Sequence, residues 1–120
     1  MLEFKRSDRV RTLLQRELSE VIHRSVRDPR VRFCTVADVE LSPDLKYADI
    51  RISVVGNKKQ KQGALAGLKS ASGFLRREVG RRIGLRHTPE LRFELDESVE
   101  HLMRIDRLLK QIDDTAEEDG

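Results

Sequence analysis

The chain has 120 residues, of which 38% are apolar, 38% charged and only 4% aromatic. That length supports one hydrophobic core and not two, and so much charge must be solvated or matched by a charged partner. The single cysteine, Cys34, excludes an intramolecular disulfide and a multi-cysteine zinc site, and the few scattered rings exclude an affinity built on a row of stacked bases.

The net charge of +3 hides an uneven distribution, because residues 1–56 sum to +2, residues 57–89 to +8 and residues 90–120 to −7. In the middle segment Lys58, Lys59, Lys61, Lys69, Arg76, Arg77, Arg81, Arg82 and Arg86 face one acid, Glu78. A run of that kind is the electrostatic footprint of a polyanion site. Its bland counterpart is a solvated helix surface, but solvated helices interleave acids with bases, and this one hardly does.

In chain order, Val10, Leu14, Leu18, Val21 and Ile22 recur at helical spacing from about Ser7 to Val26, with Ser7 or Asp8 available as a cap. Asp28-Pro29 is expected to stop this helix, since proline removes a donor and disfavours helical backbone before it. Arg6, Arg9 and Arg11 stand in its first turns, where the helix dipole disfavours cations, so they are either a solvated edge or secondary contacts that extend the anion-binding surface. Alternation then signals strands: Thr35, Ala37, Val39 and Leu41 against Asp38 and Glu40, and, after Ser42-Pro43-Asp44, Ala48, Ile50, Ile52 and Val54 against Asp49, Arg51 and Ser53. The short Pro-Asp link predicts a hairpin.

Beyond Gly56-Asn57 the basic segment carries Leu65, Leu68, Leu75, Val79 and Ile83 at helical spacing. Its stripe thins at Ala71-Ser72-Gly73, where a mid-helix glycine costs about 1 kcal/mol relative to alanine, so a kink between two helices is expected. After Pro89 a third strand places Leu91, Phe93 and Leu95 inward. Ser98 can cap a last helix carrying Val99, Leu102, Ile105, Leu108, Leu109 and Ile112, and residues 113–120 read as an acidic, disordered tail behind one domain spanning residues 1–112.

Helix, strand, strand, helix, kink, helix, strand and a C-terminal helix form an α+β plan. The helical pair between the second and third strands is long enough for a parallel crossover, which puts the second strand in the middle of a three-stranded mixed sheet covered by helices on one face. The order resembles the type II KH fold. Asp28-Pro29-Arg30, the run from Val39 to Ala48, Ala71-Ser72-Gly73-Phe74-Leu75-Arg76, and the run from Pro89 to Ser98 resemble, in order and spacing, the ribosome-binding factor A family.

The resemblance implies a bacterial, cytoplasmic maturation factor that binds the free or immature 30S subunit and its 16S rRNA and promotes rRNA processing near the 5′ end. KH domains clamp single-stranded nucleic acid with a Gly-x-x-Gly loop. This chain has Ala71-Ser72-Gly73 instead, so recognition of folded RNA by shape and phosphate is expected. The expected RNA-binding residues are Lys58, Lys59, Lys61, Lys69, Arg76, Arg77, Arg81, Arg82, Arg86 and His87, with the helix kink at Ala71, Ser72 and Gly73.

No catalytic constellation is visible, and no cofactor, metal or small-molecule substrate is expected. Gly63 to Ser70 fails the spacing of a phosphate loop, and His23, His87 and His101 stand on different elements. Cys34 reads as a small buried hydrophobe. No signal, lipidation motif or long apolar run suggests a membrane, and a monomer is the simplest state. The competing function class is an adaptor whose basic face docks an acidic protein.

Overall fold

The computed structural model describes residues 6–97 and Arg107. Helix α1 (Arg6–Ser25) leads through a short 3-10 helix (Pro29–Val31) to strands β1 (Cys34–Leu41) and β2 (Tyr47–Val54), then to helices α2 (Lys58–Ser70) and α3 (Ser72–Ile83) and strand β3 (Glu90–Leu95). The expected last helix from Ser98 to Ile112, Arg107 apart, and the tail at 113–120 lie outside the described residues.

β2 is the central strand, antiparallel to β1 and parallel to β3. Parallel pairing needs a crossover, and α2 with α3 supplies it. One face of the sheet is dry: Cys34, Val36, Val39, Ala48, Ile50, Ile52, Leu91 and Phe93 pack with Leu14, Leu18, Val21 and Ile22 of α1, Ala64 and Leu68 of α2, and Leu75 and Val79 of α3. The other face carries charges in cross-strand pairs. Arg51 reaches Asp38 and Glu40 on β1, both at 3.2 Å, and Arg92 of β3 pairs with Asp49 of β2 at 2.8 Å while its guanidinium lies 4.5 Å from the ring centre of Tyr47. Such pairs fix register more than they stabilise.

β1 departs from the alternation expected of it. Cys34 and Val36 are buried and Thr35 and Ala37 exposed, whereas Val39 is buried as expected and Leu41 is partly so. Between the rungs Val36↔Ile52 and Asp38↔Arg51 the register shifts, with Ala37 as the extra residue. A bulge reverses the phase of the side chains, so one inward set cannot be read through it.

The end of α1 also differs. The helix stops at Ser25, before Asp28-Pro29, and that dipeptide opens the 3-10 helix: the Asp28 carboxylate accepts from the Arg30 amide at 2.9 Å and proline occupies the first turn, where its missing donor costs nothing. Ser7 and Asp8 lie inside α1, which is already formed at Arg6. The hairpin turn follows the sequence reading, with Ser42 Oγ donating to Asp44 at 2.7 Å and Asp44 accepting from the Lys46 amide at 3.1 Å. These two bonds hold the Asp44 carboxyl below its usual range.

α3 ends at Gly84, whose φ of 76° is the left-handed C-cap conformation that glycine adopts without steric cost. Residues 84–89 then fold back on the helix. Gly80 makes room for this, since a Cβ there would overlap the Thr88 hydroxyl.

Candidate nucleic-acid interface

The basic residues of the middle segment are spread along the whole crossover and not gathered at one point. Parallel pairing of β2 with β3 sends the chain into α2 at the C-terminal end of the sheet and returns it from α3 at the opposite end, beside Tyr47 and Glu90. Six paired residues at about 3.3 Å each separate the two ends by about 20 Å.

At the first end Asn57 caps α2 in a reciprocal box, accepting from the Gln60 amide at 2.9 Å while its own amide donates to Gln60 Oε1 at 2.8 Å. No acid stands in the first turn of α2, where Lys58 and Lys59 are exposed and Lys61 is partly buried. Cations at a helix N-terminus oppose the dipole, and a bound anion relieves that conflict.

The kink comes next. α2 ends at Ser70 and α3 starts at Ser72, with Ala71 between them at φ −87°, ψ 0°. The Ala71 amide still donates to the Gly67 carbonyl at 3.1 Å and its carbonyl accepts from Leu75 at 2.9 Å, so the junction keeps its hydrogen bonds while the axis turns. No side chain caps α3 and no acid stands in its first turn. Gly73 is exposed, and a Cβ on it would meet only the Arg77 guanidinium, at 3.6 Å. Folding therefore does not require glycine at that position. Lys69 and Ser72 border a shallow depression whose other wall is Leu91, Arg92 and Phe93 of β3.

Most of the arginines of α3 are already engaged. Arg76 donates to the Thr88 carbonyl through Nε at 3.1 Å and Nη2 at 2.8 Å, which ties the 84–89 loop to the helix. Arg82 bridges to Glu17 at 3.4 Å and Glu20 at 3.5 Å and so joins α3 to α1. Arg81 pairs with Glu78 at 2.8 Å, and that hydrogen bond holds the Glu78 carboxyl below its usual range. Arg86 and His87 line an open groove of about 880 Å³ with Arg6, Lys46 and Arg76, but Asp44 and Glu90 line it too. Arg9 and Arg11 border a separate depression formed by α1 alone.

Lys58, Lys59, Lys69, Arg77 and Arg86 are thus exposed cations without an ion pair among the described residues. The sequence reading did not assign Arg24, Arg27, Arg30 and Arg32, which crowd the connection from α1 to β1 with Asp28 as the only acid among them. The signal was present as local spacing. It vanished when charge was summed over residues 1–56.

Among the described residues no group of three metal-ligating side chains occurs, and no helix is long and apolar enough to cross a membrane. Cys34 is 2% exposed, and burial pushes its thiol up to about 11, so it is an inert core residue at neutral pH.

A profile of ribosome-binding factor A matches residues 6–109. The chain belongs to the ribosome-binding factor A family. A crystal structure of ribosome-binding factor A from Thermus thermophilus is similar at 30% identity and a TM-score of 0.66, covering 72% of this chain and 91% of that one. A Thermotoga maritima protein assigned to the same family and solved by NMR is 31% identical with a TM-score of 0.65, over 77% of this chain and 91% of that one. A Thermus thermophilus ribosome-binding factor A homology model, fitted into a cryo-EM map of a 30S complex, is 29% identical with a TM-score of 0.64, over 74% of this chain and 93% of that one. The α+β, KH-like plan of ribosome-binding factor A is therefore also the plan of this chain.

Proposed function

We propose that this protein is a non-enzymatic assembly factor of the small ribosomal subunit. It binds free or immature 30S particles in the cytoplasm as a monomer, contacts 16S rRNA through phosphate, and promotes maturation of that RNA near its 5′ end. The observation that supports this most is the set of uncompensated cations on the crossover helices, Lys58, Lys59, Lys69 and Arg77, on both sides of the Ala71 kink. A Thermus relative placed in a 30S complex supports the choice of partner. The physical action is differential binding: one local RNA arrangement is held in preference to others, and the equilibrium shifts by that preference.

The test is co-sedimentation of the protein with isolated small subunits and with assembled ribosomes across a salt series. If about six side chains each neutralise a phosphate, affinity falls roughly a thousandfold between 50 and 200 mM salt. Selective, salt-sensitive association with the free subunit supports the reading. Failure to sediment at low salt, or association that survives complete nuclease digestion of the RNA, overturns it and favours docking on an acidic protein.

A further inference from the structure

The C-terminal end of the sheet carries a feature that the phosphate-binding reading does not use. The β1–β2 ladder closes on the rung Cys34↔Val54, and the two residues just beyond it, Phe33 and Val55, are 66% and 80% exposed. They are the most exposed of the large apolar side chains in the described residues. Burial of Cys34 and Ile52 directs the helix-covered face inward, and Phe33 and Val55, out of phase with them, have no core to enter.

The surroundings of this pair are cationic. Arg32 precedes Phe33, and Lys58 and Lys59 open α2 directly after Val55-Gly56-Asn57. Arg30 is brought to the same helix: its side chain lies 3.7 Å from where a Cβ on Gly63 would stand, one turn beyond Lys59. Asp28, the nearest carboxylate in sequence, is committed to Arg30 at 2.7 Å, which fixes the guanidinium against α2. Arg27 and Arg32 line one depression together with Asp28. Hydrophobic exposure with Arg32, Lys58 and Lys59 close by along the chain, and with the acids Asp96 and Glu97 lining a depression toward β3, is poorly suited to a purely apolar partner. It suits a ligand with a flat apolar face and a negative backbone, which is an unpaired nucleotide.

We propose that Phe33 is a stacking platform for one unpaired base of RNA, with Val55 extending its surface and Arg32, Lys58 and Lys59 holding the flanking phosphates. This rests on the RNA-binding reading and deepens it. One ring gives a single sequence-tolerant anchor, because every base has a π-face, and it fixes where a single strand leaves the folded RNA.

The chain has no tryptophan, so Phe33→Trp introduces a unique fluorophore at the site. Titration with a short single-stranded RNA should quench it, whereas a blunt duplex of the same charge should bind without quenching. By anisotropy, Phe33→Ala should weaken the single strand by about fivefold to 150-fold, with duplex affinity and the salt slope unchanged. The Arg32→Ala and Lys58→Ala variants should each lower the slope by about one. Thermal stability of Phe33→Ala should stay within about 3 °C of the parent.

Absence of quenching, equal single-strand affinity in Phe33→Ala, or a large loss of stability in that variant overturns the proposal; the last outcome makes Phe33 a packing residue. Binding to anionic lipid vesicles in place of RNA overturns it as well. If small-subunit association persists while Phe33→Ala behaves as the parent, the platform fails alone. If the parent protein ignores subunits and RNA alike, the assembly-factor reading fails first.

Discussion

The two ends of the crossover carry similar positive charge and use it differently. At the start of α2, Lys58 and Lys59 are exposed, have no ion pair among the described residues and oppose the helix dipole. On α3, Arg76 ties down the carbonyl of the returning loop, Arg82 joins two helices through Glu17 and Glu20, and Arg81 is paired with Glu78. Residue chemistry explains part of this. A guanidinium presents a planar fork that satisfies carbonyls and carboxylates in fixed geometry, whereas an ammonium on a flexible stem pairs loosely and remains available. A count of charge along the sequence cannot separate the two uses.

The largest expected effect follows from that contrast. Reversing Lys58, Lys59, Lys69 and Arg77 together to glutamate should weaken small-subunit binding at least about a hundredfold and reduce the salt slope by three to four, with the fold intact. Reversing Arg81 and Arg82 should instead unfold the protein earlier in urea and change the salt slope little. Equal losses of binding from both sets, measured by sedimentation, would erase the distinction between the ends.

Next in size is Gly80→Ala. The added methyl group overlaps the Thr88 hydroxyl, so the 84–89 loop must shift at a cost of about 1–3 kcal/mol, read from chemical denaturation. Arg76→Ala removes both hydrogen bonds to the Thr88 carbonyl and should cost about 1 kcal/mol, lowering the melting temperature by about 4–8 °C. Faster amide exchange confined to residues 84–89 would confirm that Arg76 positions this loop.

Gly73→Ala sharpens the comparison from the other side. With open space and no positive φ, the substitution should stabilise the free protein by about 0.5–1 kcal/mol. If RNA approaches the backbone at the kink, the same variant binds subunits less well although it is more stable. Unchanged binding would place the contact elsewhere on the crossover.

The smallest effect concerns Cys34. Its thiol is raised in the folded state from 9.0 to about 11, so the stability it contributes is complete below pH 9 and is lost as pH rises through about 11. Cys34→Ser should flatten that alkaline slope in pH-dependent melts. Thiol reagents should leave the parent unmodified at neutral pH until it unfolds.

Much of the fold was legible because its signals are local. The helical stripe of α1, the alternation along β2 and β3, the Ser42-Pro43-Asp44 turn and the thinning at Ala71 each depend on a few neighbouring residues, and each appears in the structure. β1 was misread at Thr35 and Ala37 because a bulge depends on how the partner strand registers, not on the strand itself. The role of Asp28-Pro29 was misplaced for a related reason. Proline marks a boundary equally well as the end of one helix or the opening of the next, and only the backbone path decides.

By itself the sequence determined the α+β plan, the central place of β2 and the presence of a concentrated basic crossover, since apolar periodicity and charge density are properties of short segments. The tertiary structure decided which cations remain available. That depends on Thr88, Glu17 and Glu20, residues far from Arg76 and Arg82 in sequence and brought to them only by packing. It also decided that Phe33 and Val55 both lie just beyond the last rung of the hairpin, because strand pairing, and not distance along the chain, sets which residues end up at the same edge.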